Sequence, residues 1–184
     1  MILPDKISKE ALGYEAQKAY VTTMMAVVGS GLAAASRVDE TVQRELSAFP
    51  PGYQVSMTVF PSGPDFFLRV GEHGVAEVIS APVGKPDLTI RFKHMAHAFL
   101  VFSFQEGTAR AFANDRMIAD GNLSHAIRLV RCLNQMETLI LPKLVAQRAV
   151  KRYTDVPFVE KITKAARIYG LVTKSLVTQL AAGK

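Results

Sequence analysis

Apolar and polar residues alternate in five short stretches of the chain, which is the pattern of strands that bury one face of a sheet. Turns rich in Gly and Pro separate the first four stretches, and this spacing predicts an antiparallel meander. The fifth stretch runs into Asp-Gly-Asn, a sequence typical of a tight turn, and a helical pattern follows at once. The five predicted strands are residues 53–60, 65–70, 75–80, 87–92 and 116–120.

Apolar residues at helical spacing lie on both sides of these strands. Residues 94–104 are apolar almost all round, which predicts a helix deep in the structure. Asn122 is placed to cap another helix, and the predicted buried stripe of that helix is Ala126, Ile127, Val130, Leu133 and Met136. The other predicted helices are residues 5–36 with an optional break at Gly29–Gly31, a short helix capped by Asp39, a basic helix at 144–153 and a last helix at 158–180.

The order of these elements predicts an α/β protein of the α+β type, with a five-stranded, largely antiparallel sheet flanked by helices and extra helices at both ends. A chain of 184 residues is long enough for one sizeable core. We expect N-terminal helices in 1–49, a sheet-containing core in 50–141 and basic amphipathic helices in 142–184.

The chain carries a net charge of +6, and its basic residues are concentrated near the C-terminus. Residues 143–184 contain nine Lys and Arg against two acidic residues, a balance of +7, whereas residues 1–142 contain 13 basic and 14 acidic residues, a balance of −1. This asymmetry indicates an anionic partner, either a membrane surface or a nucleic acid. Few aromatic residues lie among the basic ones, which disfavours stacking on single-stranded nucleic acid.

The last predicted helix is amphipathic, and Lys164, Arg167 and Lys174 project from its polar side. Such a helix either lies in a membrane interface or packs on the domain with a solvated basic face, and the pattern serves both arrangements. Its predicted apolar stripe is Phe158, Ile162, Ala165, Tyr169, Val172, Leu176 and Leu180.

Cysteine usage and hydropathy limit the class of protein. Cys132 is the only cysteine, so an intrachain disulfide and a multi-cysteine zinc site are excluded, and a reducing cytoplasmic compartment fits. The most apolar N-terminal run, residues 20–35, is shorter than the about 20 apolar residues that a spanning helix needs. It also follows acidic residues rather than the basic start of a signal peptide, so we expect neither kind of segment.

The residues that could carry chemistry are isolated from one another. Gly29–Gly31 imitates a dinucleotide-binding loop, but helical sequence precedes it where that motif requires a strand. His94 and His97 could share a metal, yet zinc needs further ligands and none has suitable spacing. Cys132 fits a small packing residue, and no Ser/His/Asp set is recognisable. We therefore expect no catalytic residue, no metal site and no enzymatic activity.

Large, flexible apolar side chains are more numerous than five short strands require. Phe and Met can line a cavity that adapts to an apolar guest, although an ordinary core is the alternative for any one of them. The candidate lining residues are Leu88, Ile90, Phe92, Phe99, Phe102, Phe104, Phe112, Met117, Ile127 and Val130.

Two stretches, PDLTIRF at 86–92 and FANDRMIADGNLSHAIRLV at 112–130, with a helix between them, resemble the sterol carrier protein type 2 family. In that family a last strand of alternating basic and apolar residues enters a Gly-Asn or Gly-Asp turn and then a helix. The likeness covers residues 53–136, and Ile118 and Asp120 stand where the family commonly has charged residues. The equivalent family positions are held here by Met117, Ala119, Gly121, Asn122, Leu123, Ile127 and Leu129.

The resemblance implies an apolar tunnel for a fatty acyl chain, sterol, phospholipid or isoprenoid, with the fifth strand as a wall and the next helix as a lid. The expected function is non-catalytic lipid binding or transfer, with docking on membranes through Lys164, Arg167 and Lys174. Bacterial family members with extra helices include accessory proteins of ubiquinone biosynthesis. An accessory subunit that presents a lipid or quinone intermediate to a biosynthetic enzyme is therefore the alternative, and a small enzyme acting on a lipid-like substrate is a third option.

The expected partners are a lipid or fatty-acid ligand, an anionic membrane surface and, under the alternative, a lipid- or quinone-biosynthesis enzyme. No nucleic acid and no cofactor other than the bound lipid is expected. The expected location is the cytoplasm, with peripheral attachment to the membrane.

Overall fold

The computed structural model describes residues 4–140 and 158–182, and this part of the chain contains five strands and six α-helices. The strands are β1 Tyr53–Val59, β2 Asp65–Val70, β3 Ala76–Ile79, β4 Leu88–Phe92 and β5 Met117–Gly121. The helices are α1 Pro4–Val38, α2 Glu40–Leu46, α3 Met95–Phe102, α4 Thr108–Ala113, α5 Leu123–Ile140 and α6 Phe158–Ala182. The predicted basic helix at 144–153 lies outside the described residues.

The strands form one mixed sheet in the order β3-β2-β1-β4-β5. β1 pairs antiparallel with β2 and parallel with β4, while the β2–β3 and β4–β5 pairs are antiparallel. The predicted five-stranded, largely antiparallel sheet is confirmed. The predicted meander of the first four strands is wrong, because the chain returns across the sheet after β3 and β4 joins the free edge of β1. Alternation specifies which face of a strand is buried, and it does not specify the neighbouring strand.

One face of the sheet is apolar and the other is largely polar. Leu88, Ile90 and Phe92 point to the apolar face and are at most 2% exposed, so their predicted inward orientation is confirmed. Arg69 and Arg91 project from the opposite face into solvent. Because α1, α3 and α5 all pack on the apolar face, the molecule has two layers with its core between them.

The first helix, α1, is continuous, so the optional break at Gly29–Gly31 is wrong. The two glycines instead allow α1 to approach its neighbours closely. A Cβ at the first glycine would lie 3.1 Å from the ring of Phe66, and a Cβ at the second would lie 2.8 Å from Met136 Sδ. Small residues at these positions therefore serve helix packing, which is the account that the sequence favoured over nucleotide binding.

Within the described residues, one helix is long and apolar enough to cross a membrane, the segment Gly13–Val38 of α1. More than half of its most apolar stretch is buried inside the structure. Val21, Met25 and Leu32 recur at helical spacing and are fully buried against the sheet and the other helices. A core helix of a two-layer protein has this composition as well, because it is apolar on most of its surface.

The predicted strand–turn–helix at the end of the sheet is confirmed. Gly121 has a φ of +137°, and a Cβ there would clash with the carbonyl oxygen of Asp87, so only glycine fits. Asn122 Oδ1 then accepts a hydrogen bond from the N–H of Ser124 at 2.8 Å and caps α5.

The buried surface of α5 is wider than the sequence predicted. Ile127 is 47% exposed and Val130 is partly exposed, so the predicted placement of Ile127 in the buried stripe is wrong. α5 lies between the sheet and α2, and a helix with neighbours on two sides buries more than one stripe. The buried residues of α5 are Ala126, Leu129, Cys132, Leu133, Met136, Thr138 and Leu139.

The last helix, α6, packs along α1 and against α5. Ile168 and Val172 are buried, whereas Ile162 and Tyr169 are more than half exposed although the sequence assigned both to the apolar stripe. The contact face is centred on Ile168, which lies about 100° around the helix from Tyr169. Helices α1, α2 and α6 contribute to one apolar core with the sheet. The division at residues 49 and 141 stays a prediction.

Candidate functional site

A largely enclosed cavity of about 130 Å³ lies between the sheet and the helices. Met57, Phe92 and Met117 form its wall on the side of the sheet. The helices complete it with mostly apolar side chains, for example Val28 from α1 and Leu133 from α5. The strands thus supply a rigid wall, and the helices form the opposite side.

Four of the ten predicted lining residues meet at this cavity: Phe92, Phe102, Phe104 and Met117. The other six lie elsewhere. Leu88 and Ile90 belong to the solid core of the sheet, and Phe99 and Phe112 pack at the margin of that core. The remaining two, Ile127 and Val130, are on α5 away from the cavity wall. Contact of any of the ten with a lipid stays a prediction.

The sequence analysis missed the contribution of α1 to the cavity. Met24, Val27 and Val28 line it, because α1 crosses the apolar face of the sheet rather than forming a separate unit. The signal was present in the sequence, since Val21, Met25, Val28 and Leu32 follow helical spacing and predict a buried face.

The cavity is smaller in volume than the tunnel for a whole lipid chain that the family resemblance implied. An engineered protein cavity of about 150 Å³ holds benzene, whereas pockets for larger ligands span about 300–1,000 Å³. The described residues therefore enclose room for the end of a hydrocarbon chain and not for a whole chain. Flexible thioether side chains can move aside for more of a guest, and the lining includes Met24, Met57, Met117 and Met136.

One acidic side chain, Glu137, lies in this otherwise uncharged wall. It is on α5, one turn after Leu133 and one turn before Ile140, and both neighbours also line the cavity. Burial raises the pKa of Glu137 from 4.5 to about 7, because a carboxylate loses its hydration there. Tyr169 lies nearby, and its hydroxyl donates a 2.8 Å hydrogen bond to the carbonyl oxygen of Ile140.

A second concavity, an open groove of about 790 Å³, lies between α1, α6, β2 and β3. Its floor is made of small residues of α1 such as Ala26 and Ala33. Its rim carries one charged side chain from each of these four elements: Arg37, Asp65, Glu77 and Lys174. The groove is therefore large enough for a lipid chain, but it is open to water and bordered by charges.

The three predicted membrane-contact cations occupy different surroundings. Lys164 Nζ lies 2.8 Å from Asp39 Oδ2, and the Asp39 side chain is 2% exposed. Arg167 and Lys174 are exposed and lie on one side of α6, seven residues apart. Lys164 therefore ties α6 to the start of α2, and the other two can reach a surface.

Opposing effects act on the carboxyl group of Asp39. Burial raises its pKa, but the hydrogen bonds from Lys164, from the backbone N–H of Val42 and from Gln135, together with the charge of Lys164, lower it by more. The net pKa is below the usual value, so Asp39 is ionised at neutral pH and serves both as the predicted helix cap and as an ion-pair partner.

The surroundings of the candidate metal ligands, His94 and His97, and of Cys132 fit roles in packing. The rings of His94 and His97 lie 5.1 Å apart, and no cluster of three or more His, Cys, Asp or Glu occurs within the described residues. Burial raises the pKa of Cys132 to about 12, so its thiol is a poor nucleophile.

No family model and no curated protein matches this sequence. Similar solved structures include a ubiquinone synthesis protein, UbiJ-SCP2, at 12% identity and a TM-score of 0.41, covering 70% of this chain and 98% of that one. The sterol carrier protein domain 2 of Helicoverpa armigera is 18% identical with a TM-score of 0.45, covering 64% and 87%. Sterol carrier protein 2 from Yarrowia lipolytica is 14% identical with a TM-score of 0.40, covering 60% and 86%. The resemblance inferred from the sequence is found again among solved structures, and at these TM-scores it assigns no ligand to this chain.

Proposed function

We propose that the protein is a non-catalytic lipid-binding protein that holds the end of an acyl, sterol or isoprenoid chain in the cavity between sheet and helices. The observation that supports this proposal is the lining of the cavity, where apolar residues of β1, β4, β5, α1, α3 and α5 converge on an empty space. An ordinary core fills such space, since protein interiors are packed as densely as organic crystals.

The size of the cavity fits weak, reversible loading. Its 130 Å³ corresponds to about four groups of roughly 30 Å³, the volume of a water molecule and close to that of a methylene. At about 0.8 kcal/mol for each buried methylene, insertion gains about 3 kcal/mol over water. A bilayer offers these methylenes nearly the same gain, so the difference in free energy between the end of the chain in the cavity and in the membrane is small.

Deeper loading needs movement of the lining. Met24 and Met136 are on facing helices, α1 and α5, and Met57 is on the sheet, so a guest that displaces them enlarges the cavity in both directions. Unbranched thioether side chains repack at low cost, which makes them suitable walls for chains of different shape.

Docking on the membrane is assigned to α6, in a protein of the cytoplasm that attaches peripherally. Arg167 and Lys174 are free to approach an anionic leaflet, and each contributes roughly 1 kcal/mol that salt weakens. Val177 is 60% exposed, lies about 60° around α6 from Lys174, and can enter the interface beside it.

The proposal is tested by native mass spectrometry of the gently purified full chain, followed by extraction of any bound lipid. We expect a co-purifying lipid, and we expect the uncharged probe N-phenyl-1-naphthylamine to gain fluorescence on binding and to be displaced by long-chain lipids. Repeated absence of both a bound lipid and a displaceable probe would show that the cavity is only a packing defect.

The alternative, an accessory subunit that presents a lipid to a biosynthetic enzyme, is favoured by exposed apolar residues at the start of α5. Leu123 is 69% exposed, and Ile127 lies one turn further on the same side of the helix. A replacement of both by Ser should leave probe binding unchanged and reduce lipid turnover by a partner enzyme in cell extract, if this function is the correct one.

A further inference from the structure

Among the residues that the structure describes, the wall of the cavity contains a single acid, and that acid has no partner. Glu137 lines the cavity, and no hydrogen bond or ion pair joins its carboxyl group to another residue that the structure describes. Glu137 is largely but not fully buried, and acidic side chains in such positions are normally paired or hydrogen-bonded. An acid without such a partner in a ligand-sized space therefore has its hydrogen-bonding capacity available for a guest.

Among the described residues, burial and no neighbouring charge sets the protonation state of Glu137. The sheet strands, α1, α3 and α4 contribute no titratable side chain to the wall, and α6 contributes only Tyr169. Burial is the one cause of the rise in the pKa of Glu137 to about 7. Near neutral pH a large fraction of the protein therefore carries the uncharged acid, which offers one O–H donor and a carbonyl acceptor.

The two ends of the cavity differ in polarity and in exposure. Glu137 and Ile140 are at the C-terminal end of α5, and Tyr169, whose hydroxyl reaches Ile140, is 52% exposed and marks the rim of the cavity at that end. Met57 and Phe92 form the deep wall on the sheet and are at most 3% exposed. A guest with one polar end fits in a single orientation, with its tail toward the sheet and its polar end toward Glu137.

We propose that Glu137 is the hydrogen-bonding anchor for lipids that end in an uncharged oxygen, a hydroxyl or a ketone-type carbonyl, and that it rejects lipids that end in a carboxylate or a phosphate. This inference rests on the proposed lipid-binding function and names the class of ligand. An anionic head would lose its hydration in an apolar wall that contains no cation among the described residues, and above about pH 7 it would also meet the ionised form of Glu137, which repels it.

The test compares chain-matched ligands, 2-tridecanone and dodecanoate, by displacement of N-phenyl-1-naphthylamine from the full-length protein at pH 6, 7 and 8. A ketone only accepts hydrogen bonds, so it needs the protonated form of Glu137. With a pKa of about 7, the protonated fraction falls about tenfold between pH 6 and pH 8, and the affinity for the ketone should fall with it. At pH 8 dodecanoate should bind no more tightly than the ketone binds at the same pH.

Two substitutions distinguish the effect of the acid on binding from the effect of the cavity itself. Glu137→Gln keeps the shape and an N–H donor at every pH, so ketone binding should lose its pH dependence and dodecanoate should bind several-fold more tightly. Glu40→Gln, on the exposed surface of α2, is the matched control and should behave as the unchanged protein. Circular dichroism of each variant verifies that it is folded.

The possible results distinguish this inference from the proposed function. If the probe binds but ketone affinity is independent of pH, or if dodecanoate binds as well as the ketone at pH 8, Glu137 is not the anchor and the lipid-binding proposal stands. If neither the probe nor any ligand binds to the folded protein, both proposals are overturned.

Discussion

Opposite faces of α1 border two different concavities. One face places Met24, Val27 and Val28 in the cavity, and the other places Ala26 and Ala33 in the floor of the groove. The groove, at about 790 Å³, is about six times as large as the cavity, at about 130 Å³. Volume alone therefore favours the groove as the lipid site.

The chemistry of the walls favours the cavity instead. A hydrocarbon chain gains free energy from the area that it removes from water, and a chain in an open groove keeps one side wet. The groove is also bordered by charged residues, of which Glu77 forms an ion pair with Arg69 across β2 and β3. The acid of the cavity, Glu137, has no such partner among the described residues. Lining and enclosure, more than size, therefore identify a site for an apolar guest.

The largest predicted effect is on folding stability, and it compares the acid of the cavity, Glu137, with the acid of the groove, Glu77. Glu137 has a pKa of about 7 in the folded protein against 4.5 for the free group, a difference that corresponds to roughly 3 kcal/mol of folding stability. Below pH 4.5 the group is protonated whether the chain is folded or not, so it does not affect stability. As the pH rises to about 7 the unfolded state releases the proton first, and folding stability is lost.

Glu137→Gln should therefore gain stability relative to the unchanged protein between about pH 4.5 and 7, and keep that gain at higher pH. Urea unfolding in the absence of lipid, at several pH values, measures the difference. Glu77→Gln, at the rim of the groove, is half exposed and should change stability by less than about 1 kcal/mol at all pH values. Equal pH profiles for the two variants would mean that the cavity does not desolvate its acid.

The next effect concerns α6, which borders both concavities through Tyr169 and Leu171. Lys164→Met leaves the buried carboxylate of Asp39 without its cation and should lower the free energy of unfolding by about 2–3 kcal/mol. This loss is smaller than the about 3–5 kcal/mol expected for a fully buried pair, because Lys164 is partly exposed. Arg167→Met, one turn away and exposed, should cost less than about 0.5 kcal/mol.

The sign of the pH effect adds a second measurement to the Lys164 experiment. Asp39 has a lowered pKa, so its ion pair contributes stability above the pKa of the unfolded group and loses it as the pH falls through the lowered value. The difference between Lys164→Met and the unchanged protein should therefore shrink toward acidic pH. A difference that stays constant down to pH 3 would indicate lost packing in place of lost charge.

The third effect is on affinity for the uncharged probe. Substitutions at two neighbouring residues of α1 test whether the lipid site is the cavity or the groove. Val27→Phe puts an aromatic ring into the cavity and should weaken binding of the uncharged probe at least tenfold, or about 1.4 kcal/mol. Ala26→Phe puts the same ring into the groove and should leave affinity within about twofold. The opposite pattern in the fluorescence titration would place the lipid in the groove.

The sequence predicted those parts of the fold that depend on local periodicity. Strand faces follow from alternation, as in Leu88–Phe92, and helix starts follow from caps such as Asp39 and Asn122. The parallel pairing of β1 with β4 could not be predicted in this way, because alternation contains no information on which strand is adjacent.

The candidate site was predicted less completely than the fold. Phe92 and Met117 were found because strands point every second residue to one face. Val27 was missed because the path of α1 across the sheet depends on long-range packing. Glu137 was missed because an acid on an amphipathic helix is usually solvated, and its position one turn after Leu133 was the only sign of burial.

The smallest effect tests which side of the molecule faces the membrane. Lys174 stands at the rim of the groove, and Arg167 lies on the same side of α6, so docking through these cations turns the groove toward the lipid. Arg167→Gln and Lys174→Gln should each weaken sedimentation with vesicles of 30% phosphatidylserine and 70% phosphatidylcholine about fivefold, as expected for roughly 1 kcal/mol per charge. Added salt should reduce the difference from the unchanged protein. Arg91→Gln, on the exposed polar face of the sheet, removes the same charge from another side, and an equal loss there would show that net charge alone governs attachment.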